Sequence, residues 1–345
     1  MSVFKLLHVF LKNIRYMRHV LPASWSLDTL AVLKLVICFD RLGVLKFMSE
    51  PRSIGEVSSF LGEVKRPDLL ENIFSALRKA GVLIEEGGKF RVNWRKVEKL
   101  LATRKKHPAI RSFETLLKGI ENFLYRVALD TLKGARVEFV SPEVAMVLYF
   151  QRQHFLFDFA RRLALEFGGG KKLKGKVILD VGCGFGTGTA TLLDYLNFDC
   201  QVICADFYPN TLDECAHMTV KPPGSAVKRL GELSNVKFVL LDPLLNSKWP
   251  IPDESVDVVL SFDQFQWSHK PQETMNEFAR VLKKNGTLIL VTSIRKREKS
   301  PIDITTRLFG ANKSYSKKEI LTLLKNAGFK QGKVYISSIV VARKE

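Results

Sequence analysis

The chain has 345 residues, 46% hydrophobic and 26% charged, with a formal net charge of +19. That length exceeds what one compact core usually holds, so two domains are expected, and the composition is that of a soluble globular protein. No apolar run approaches the ~20 residues that span a bilayer, which argues against a transmembrane helix. The five cysteines (Cys38, Cys183, Cys200, Cys204, Cys215) include no CxxC pair. They argue against a disulfide framework or structural zinc, so no metal ligands are expected and a reducing, cytoplasmic setting is favoured. The positive charge divides almost evenly between the two halves of the chain and attracts polyanions, anionic membranes and acidic small substrates alike.

In chain order, Val3, Leu7, Phe10, Ile14, Met17 and Leu21 recur at helical spacing, with Lys5, Lys12, Arg15 and Arg18 around the turn. The pattern is not that of a signal peptide. It predicts a basic amphipathic helix that packs on its own or a partner subunit, with peripheral contact to an anionic membrane as the alternative. A helix follows over 28–48, and a second over 53–61, where Ser53 and Glu56 form a capping-box signature. Pro67 opens a third helix that buries Leu69, Leu70, Ile73, Phe74, Leu77 and Ala80 and stops at Gly81. "VLIEEGGKFRVN" then reads as two strands about a Gly-Gly turn.

Three helices and a hairpin predict a winged helix. The third helix turns Asp68, Glu71, Asn72, Ser75, Arg78 and Lys79 outward. Its leading end, which in groove-reading helices meets the bases, carries carboxylates that phosphates repel, so dimerisation or packing is expected there rather than DNA reading.

Residues 94–140 are helical and basic, and Ser141-Pro142-Glu143 opens a helix to about Phe167 bearing Met146, Tyr149, Phe150, Gln153 and His154. Gly168 to Gly170 form a joint. The expected organisation is an N-terminal helical/winged-helix domain over 1–110, a helical connector over 111–170 and a catalytic domain over 171–345. In the last, strands Val177 to Val181, Gln201 to Asp206, Val236 to Leu241, Val256 to Phe262 and Gly286 to Thr292 alternate with helices, and a final strand pair falls within Phe329 to Arg343. Alternation of near-continuous apolar strands with helices predicts an α/β fold with a mostly parallel sheet covered on both faces.

The first of these strands runs into "LDVGCGFGTGT". Asp180 lies near its end, and Gly182, Gly184 and Gly186 form GxGxG in the turn to a helix. Glycines there let a ligand approach backbone N–H groups at a helix N-terminus. Asp206 ends the second strand twenty residues after Gly186, where an acid can accept ribose hydroxyls. Dinucleotide spacing fails, because Thr187 and Thr189 stand where its third glycine would be.

These residues, with "ADFYPN", "LLDPLL", "PDESVDVVLSFDQFQW" and "NEFARVLKKNGTLILVTS" in order after them, resemble the class I S-adenosylmethionine-dependent methyltransferases. The resemblance implies a Rossmann-like sheet of seven strands and S-adenosyl-L-methionine as cofactor. It places Asp180 and Gly182 to Gly186 at the methionine end, Asp206 on the ribose, Phe207 beside the adenine, Asp242 on the adenine amino group and Pro243 against the ring, with backbone contacts from Phe262.

The N-terminal half is similar to that of small-molecule O-methyltransferases of the hydroxyindole and caffeate type. This likeness implies a homodimer formed through the winged-helix domain, and a pocket wall to which Tyr149 and Gln153 contribute. The catalytic histidine of those enzymes is replaced here by Gln266, which is no base. His269 is the alternative, or the acceptor is anionic and needs none. The segment 295–313 is long enough for a cover and equally suits a solvated loop.

The resulting expectation is an enzyme that methylates a small-molecule acceptor at O, N or C. An RNA or protein methyltransferase is the alternative that the charge admits. A DNA-binding regulator that senses the cofactor is the third.

Overall fold

The structure, a computed structural model, describes residues 27–106, 124–135, 155–242, 244–295, 300–336 and 338–345. The N-terminal amphipathic helix and Met146, Tyr149, Phe150, Gln153, His154 and Pro243 lie outside the described residues. The chain forms two compact units. One holds the described residues from 27 to 135 and from 300 to 313; the other holds those from 155 to 295 and from 314 onward.

The first unit contains helices α1 (Leu27–Arg41), α2 (Val44–Phe47), α3 (Ile54–Phe60) and α4 (Pro67–Lys79), strands β1 (Leu83–Glu86) and β2 (Lys89–Val92), helix α5 (Trp94–Lys106) and a helical run over 124–132. The single helix expected over 28–48 is two helices, because Gly43 adopts φ +73°, a left-handed conformation that interrupts the ladder. The capping box forms as the spacing predicts: Glu56 N donates to Ser53 Oγ at 3.2 Å, and Ser53 N donates to the Glu56 carboxylate at 2.8 Å. Gly87 and Gly88, with φ of +57° and +78°, make the two-residue turn between the antiparallel strands β1 and β2.

Leu69, Leu70, Ile73, Phe74 and Leu77 of α4 are buried in an apolar cluster with Val36, Phe39 and Leu45. The ring of Phe74 meets those of Phe39 and Phe90 edge-on at 6.3 and 5.1 Å. Asn72 is also buried, against its expected outward placement, since it shares the face of Leu69 and Ile73.

The second unit begins with α6 (Phe155–Gly168), followed by β3 (Val177–Val181), α7 (Thr187–Leu196), β4 (Gln201–Asp206) and α8 (Pro209–His217). A short pair, β5 (Thr219–Val220) and β6 (Lys228–Arg229), precedes β7 (Val236–Leu240), β8 (Val256–Phe262), α9 (Pro271–Val281) and β9 (Leu282–Val291). Helix α10 (Pro301–Leu308) departs to the first unit, and α11 (Lys317–Asn326), β10 (Phe329–Tyr335) and β11 (Ile339–Lys344) complete the second.

The seven-stranded sheet has the order β10-β11-β9-β8-β3-β4-β7. β7, β4, β3, β8 and β9 run parallel, while β11 pairs antiparallel with both β9 and β10. This is the mostly parallel α/β sheet expected from the alternation, with the seven strands and Rossmann-like form that the resemblance implies. Helices α9 and α11 bury Met275, Phe278, Ile320 and Leu324 against Leu179, Val259 and Leu288 of the strands.

Gly168 is more than a joint: a Cβ there would lie 2.0 Å from Ile289 Cδ1, so the glycine permits close approach of α6 to the sheet. Helix α6 belongs with the sheet, and α10, within the segment read as a cover or loop, packs on α1 and α4. Its Ile304 and Leu308, both at 0% exposure, fill the apolar cluster of the first unit.

Candidate functional site

Strand β3 lies between β8 and β4, so the chain winds away from it in both directions. In open parallel sheets that reversal leaves a crevice beyond the carboxyl ends of the strands. Asp180, 1% exposed in β3, accepts a hydrogen bond at Oδ2 from Thr189 Oγ1 of α7 at 2.7 Å. Having donated to the carboxylate, the threonine hydroxyl is placed to accept from the Cys204 thiol at 3.4 Å.

Gly182, Gly184 and Gly186 all have positive φ, +70°, +57° and +80°. The resulting turns aim the loop at β4: Gly182 N and Cys183 N donate to Ala205 O at 2.8 and 3.2 Å, and Gly184 N donates to Asp206 Oδ2 at 2.9 Å. The protein's own packing also demands glycine. A Cβ on Gly182 would fall 2.2 Å from Gln264 Cγ, and one on Gly186 would fall 2.8 Å from Leu230 Cδ1.

Asp206 is 5% exposed, and its Oδ1 accepts from Phe207 N at 2.8 Å. The acid therefore ties the glycine loop to the end of β4. Phe207 is half-buried and meets Trp249 edge-on at 6.4 Å. Asp242 accepts at Oδ1 from Leu244 N at 2.9 Å and at Oδ2 from Asn246 N at 2.7 Å. These backbone donors, Leu244 first, hold its carboxyl below the usual range.

Phe262 is buried at the end of β8, and Asp263 follows with φ +55°. Gln266, 7% exposed, accepts at Oε1 from Thr292 Oγ1 at 2.9 Å and from Ser293 N at 3.3 Å, which pins the turn Phe265–Trp267 to the end of β9. His269 is exposed, just ahead of the Pro271 that opens α9.

Several residues here escaped the sequence reading. Gln264 packs across Gly182, and its buried Oε1 has no hydrogen-bond partner among the described residues. Arg161 of α6, 5% exposed, donates from Nη2 to Thr187 Oγ1 at the start of α7 at 3.3 Å. The structure also brings Cys183, Cys204 and Cys215 together with their sulfurs within 4.8 Å of one another, and burial raises the Cys183 thiol well above its ordinary value. Thr189 carried a readable signal, a hydroxyl in the first turn after the glycines. The others come from separate elements and carried none.

A family model described as a methyltransferase domain matches residues 179–290, from the middle of β3 nearly to the end of β9. Residues 179–290 therefore form a methyltransferase domain. An uncharacterized methyltransferase-like protein of Schizosaccharomyces pombe is 31% identical over 136 residues, 39% of this chain and 44% of the relative. The match thus spans less than half the length of that curated relative.

Among solved structures, the DszA carbon methyltransferase has a TM-score of 0.70 at 18% identity, covering 97% of this chain and 93% of that one. The CurJ carbon methyltransferase has a TM-score of 0.66 at 15% identity, covering 96% and 93%. The citrinin polyketide synthase CMeT domain has a TM-score of 0.63 at 15%, covering 97% and 93%. At these identities the likeness is one of fold. The cofactor of the domain is S-adenosyl-L-methionine.

Proposed function

We propose that the chain is an S-adenosylmethionine-dependent methyltransferase of a small-molecule acceptor. The observation that carries this is the hydrogen-bonded set of Asp180, the left-handed glycines and Asp206 at the strand-order reversal, within the matched domain.

The residues present fit the cofactor. Gln264 Oε1 beside Gly182, without a partner among the described residues, offers an acceptor to a donor at the methionine end. Asp180 and the loop from Gly182 to Gly186 hold that end, Asp206 accepts from the ribose, and Phe207 and Pro243 flank the adenine. Asp242, whose oxygens already cap a turn, retains acceptor capacity for the adenine amino group. Phe262 contributes backbone. When bound, the cofactor supplies an electrophilic methyl on a sulfonium centre.

The chain's contribution is alignment and exclusion of water. Gln266 positions the turn after β8, because its acyl oxygen is engaged with Thr292 and Ser293 and an amide takes no proton. With His269 exposed, the acceptor is a nucleophile that needs no strong base: an anion, an amine or an acidic carbon. The family resemblance assigns Tyr149 and Gln153 to acceptor binding. The first unit acts as a winged-helix-like dimerisation module.

Calorimetry with S-adenosylmethionine, then mass spectrometry of cell extract incubated with methyl-labelled cofactor, tests this reading. Stoichiometric cofactor binding and a labelled small metabolite support it. Failure to bind the cofactor, with uptake of a nicotinamide or flavin nucleotide instead, overturns it. Label appearing in RNA, with binding that falls steeply with salt, would move the acceptor to nucleic acid.

A further inference from the structure

We propose that Cys183, Cys204 and Cys215 form a three-sulfur site for a soft monovalent metal ion of the Cu(I) type. The three come from different elements: Cys183 stands between Gly182 and Gly184, Cys204 lies in β4 two residues before Asp206, and Cys215 lies in α8. Their exposures are 4%, 0% and 0%, and all three sulfurs lie within 4.8 Å of one another.

Geometry selects the ion. Sulfurs each ~2.3 Å from a central ion in trigonal array stand ~4 Å apart, so the trio needs only a small contraction to close around one. Structural zinc calls for four protein ligands and catalytic zinc for three with a fourth position open to water, whereas no other cysteine, histidine or carboxylate of the described residues joins this group and its burial leaves no such opening. Cys38 and Cys200 are buried elsewhere. A site made only of thiols, with no oxygen or nitrogen donor, favours the softest of the common ions.

Space is kept for the cluster as well. A Cβ on Gly186 would lie 3.1 Å from Cys215 Sγ. Binding replaces S–H bonds with S–Cu bonds and releases the protons to solvent. Copper supplied as Cu(I) undergoes no change of oxidation state.

The site goes beyond the methyltransferase reading and does not depend on it. It does border the cofactor loop, since a ligand on Cys183 fixes the backbone between two of the motif glycines. An ion on Cys204 also removes the thiol proton available to Thr189, the residue that donates to Asp180. Metal occupancy and cofactor affinity are therefore linked, and each changes the other by the same factor.

The test uses the full chain, reduced and anaerobic, titrated with Cu(I) in competition with bicinchoninate. The expected result is one equivalent bound per chain, with X-ray absorption showing three sulfur neighbours and no nitrogen or oxygen. Cys204→Ser and Cys215→Ser should each weaken binding by more than about 100-fold, beyond the loss of an outer-shell partner. Cys38→Ser/Cys200→Ser should bind as the wild type does. No binding in competition with the chelator, retention in Cys204→Ser, or a copper signal with nitrogen or oxygen neighbours would each overturn the proposal. If the serine variants fail to fold, the wild-type absorption spectrum decides alone.

Discussion

Alanine at position 182 tests the packing of the glycine loop against the turn after β8. Two costs add. The backbone sits at φ +70°, where a residue with a Cβ loses about 1–2 kcal/mol. The new Cβ would stand 2.2 Å from Gln264 Cγ and 2.6 Å from Gln264 Cβ. Those atoms are next to the backbone and cannot swing aside as a side-chain tip could, so overpacking adds about 1–3 kcal/mol. The variant should therefore lose about 2–5 kcal/mol in urea denaturation followed by circular dichroism. Gln264→Gly removes both clashing atoms, and in the double variant only the backbone part should remain, leaving a coupling of about 1–3 kcal/mol in a double-mutant cycle. A Gly182→Ala protein within about 0.5 kcal/mol of wild type, or a cycle with no coupling, would refute the packing argument.

Three further outcomes are expected. Asp206→Asn trades a carboxylate that accepts from Gly184 and Phe207 for an amide that can serve only one of them, so S-adenosylmethionine affinity by calorimetry should fall at least about 100-fold. Wild-type affinity would remove Asp206 from the site. Gln266→Ala leaves the Thr292 hydroxyl and Ser293 N–H without their acceptor and should cost about 1–3 kcal/mol of stability. Its turnover should stay within about tenfold of wild type, since loss of a true base costs about 10²–10⁴. A decrease of that larger size would make Gln266 catalytic.

Burial lowers Lys34 of the first unit from 10.5 to about 8, so the folded state disfavours the charged amine. Unfolding free energy should then rise with pH between about 8 and 10.5, by at most about 3 kcal/mol and less for the part of the side chain that reaches water. Lys34→Met should be the more stable protein at pH 7 and show a flatter pH profile in denaturant titrations. Equal slopes for the two proteins across that window would disprove the assignment.

Local chemistry made much of this legible in the sequence. Ser53 and Glu56 announce a cap because the interaction closes within four residues, and Gly87-Gly88 announces its hairpin for the same reason. The strands of the sheet showed as apolar runs because both faces are covered. Gly43 was harder to read, since the apolar periodicity continues across the break and only the left-handed φ reveals it.

What could not be read depends on distant partners. Gln264 matters because Gly182 leaves room for it, and the cysteine trio exists because a loop, a strand and a helix meet. The outward face of α4 depends on a distant partner too: Asp68 pairs with Arg307 of α10 at 2.7 Å, which offsets the carboxylate expected to repel phosphates. Partial burial notwithstanding, Arg66 and Arg307 keep its carboxyl below the ordinary value.

The excursion of residues 300–313 has a practical outcome for dissecting the molecule. Because Ile304 and Leu308 are supplied from beyond β9, no single cut releases an intact half. A fragment ending near residue 150 would present the bare hollow those side chains fill, while its complement would carry an orphaned apolar helix. Fragment expression for biochemistry should therefore graft that helix onto the N-terminal piece and bridge the gap left behind with a short linker.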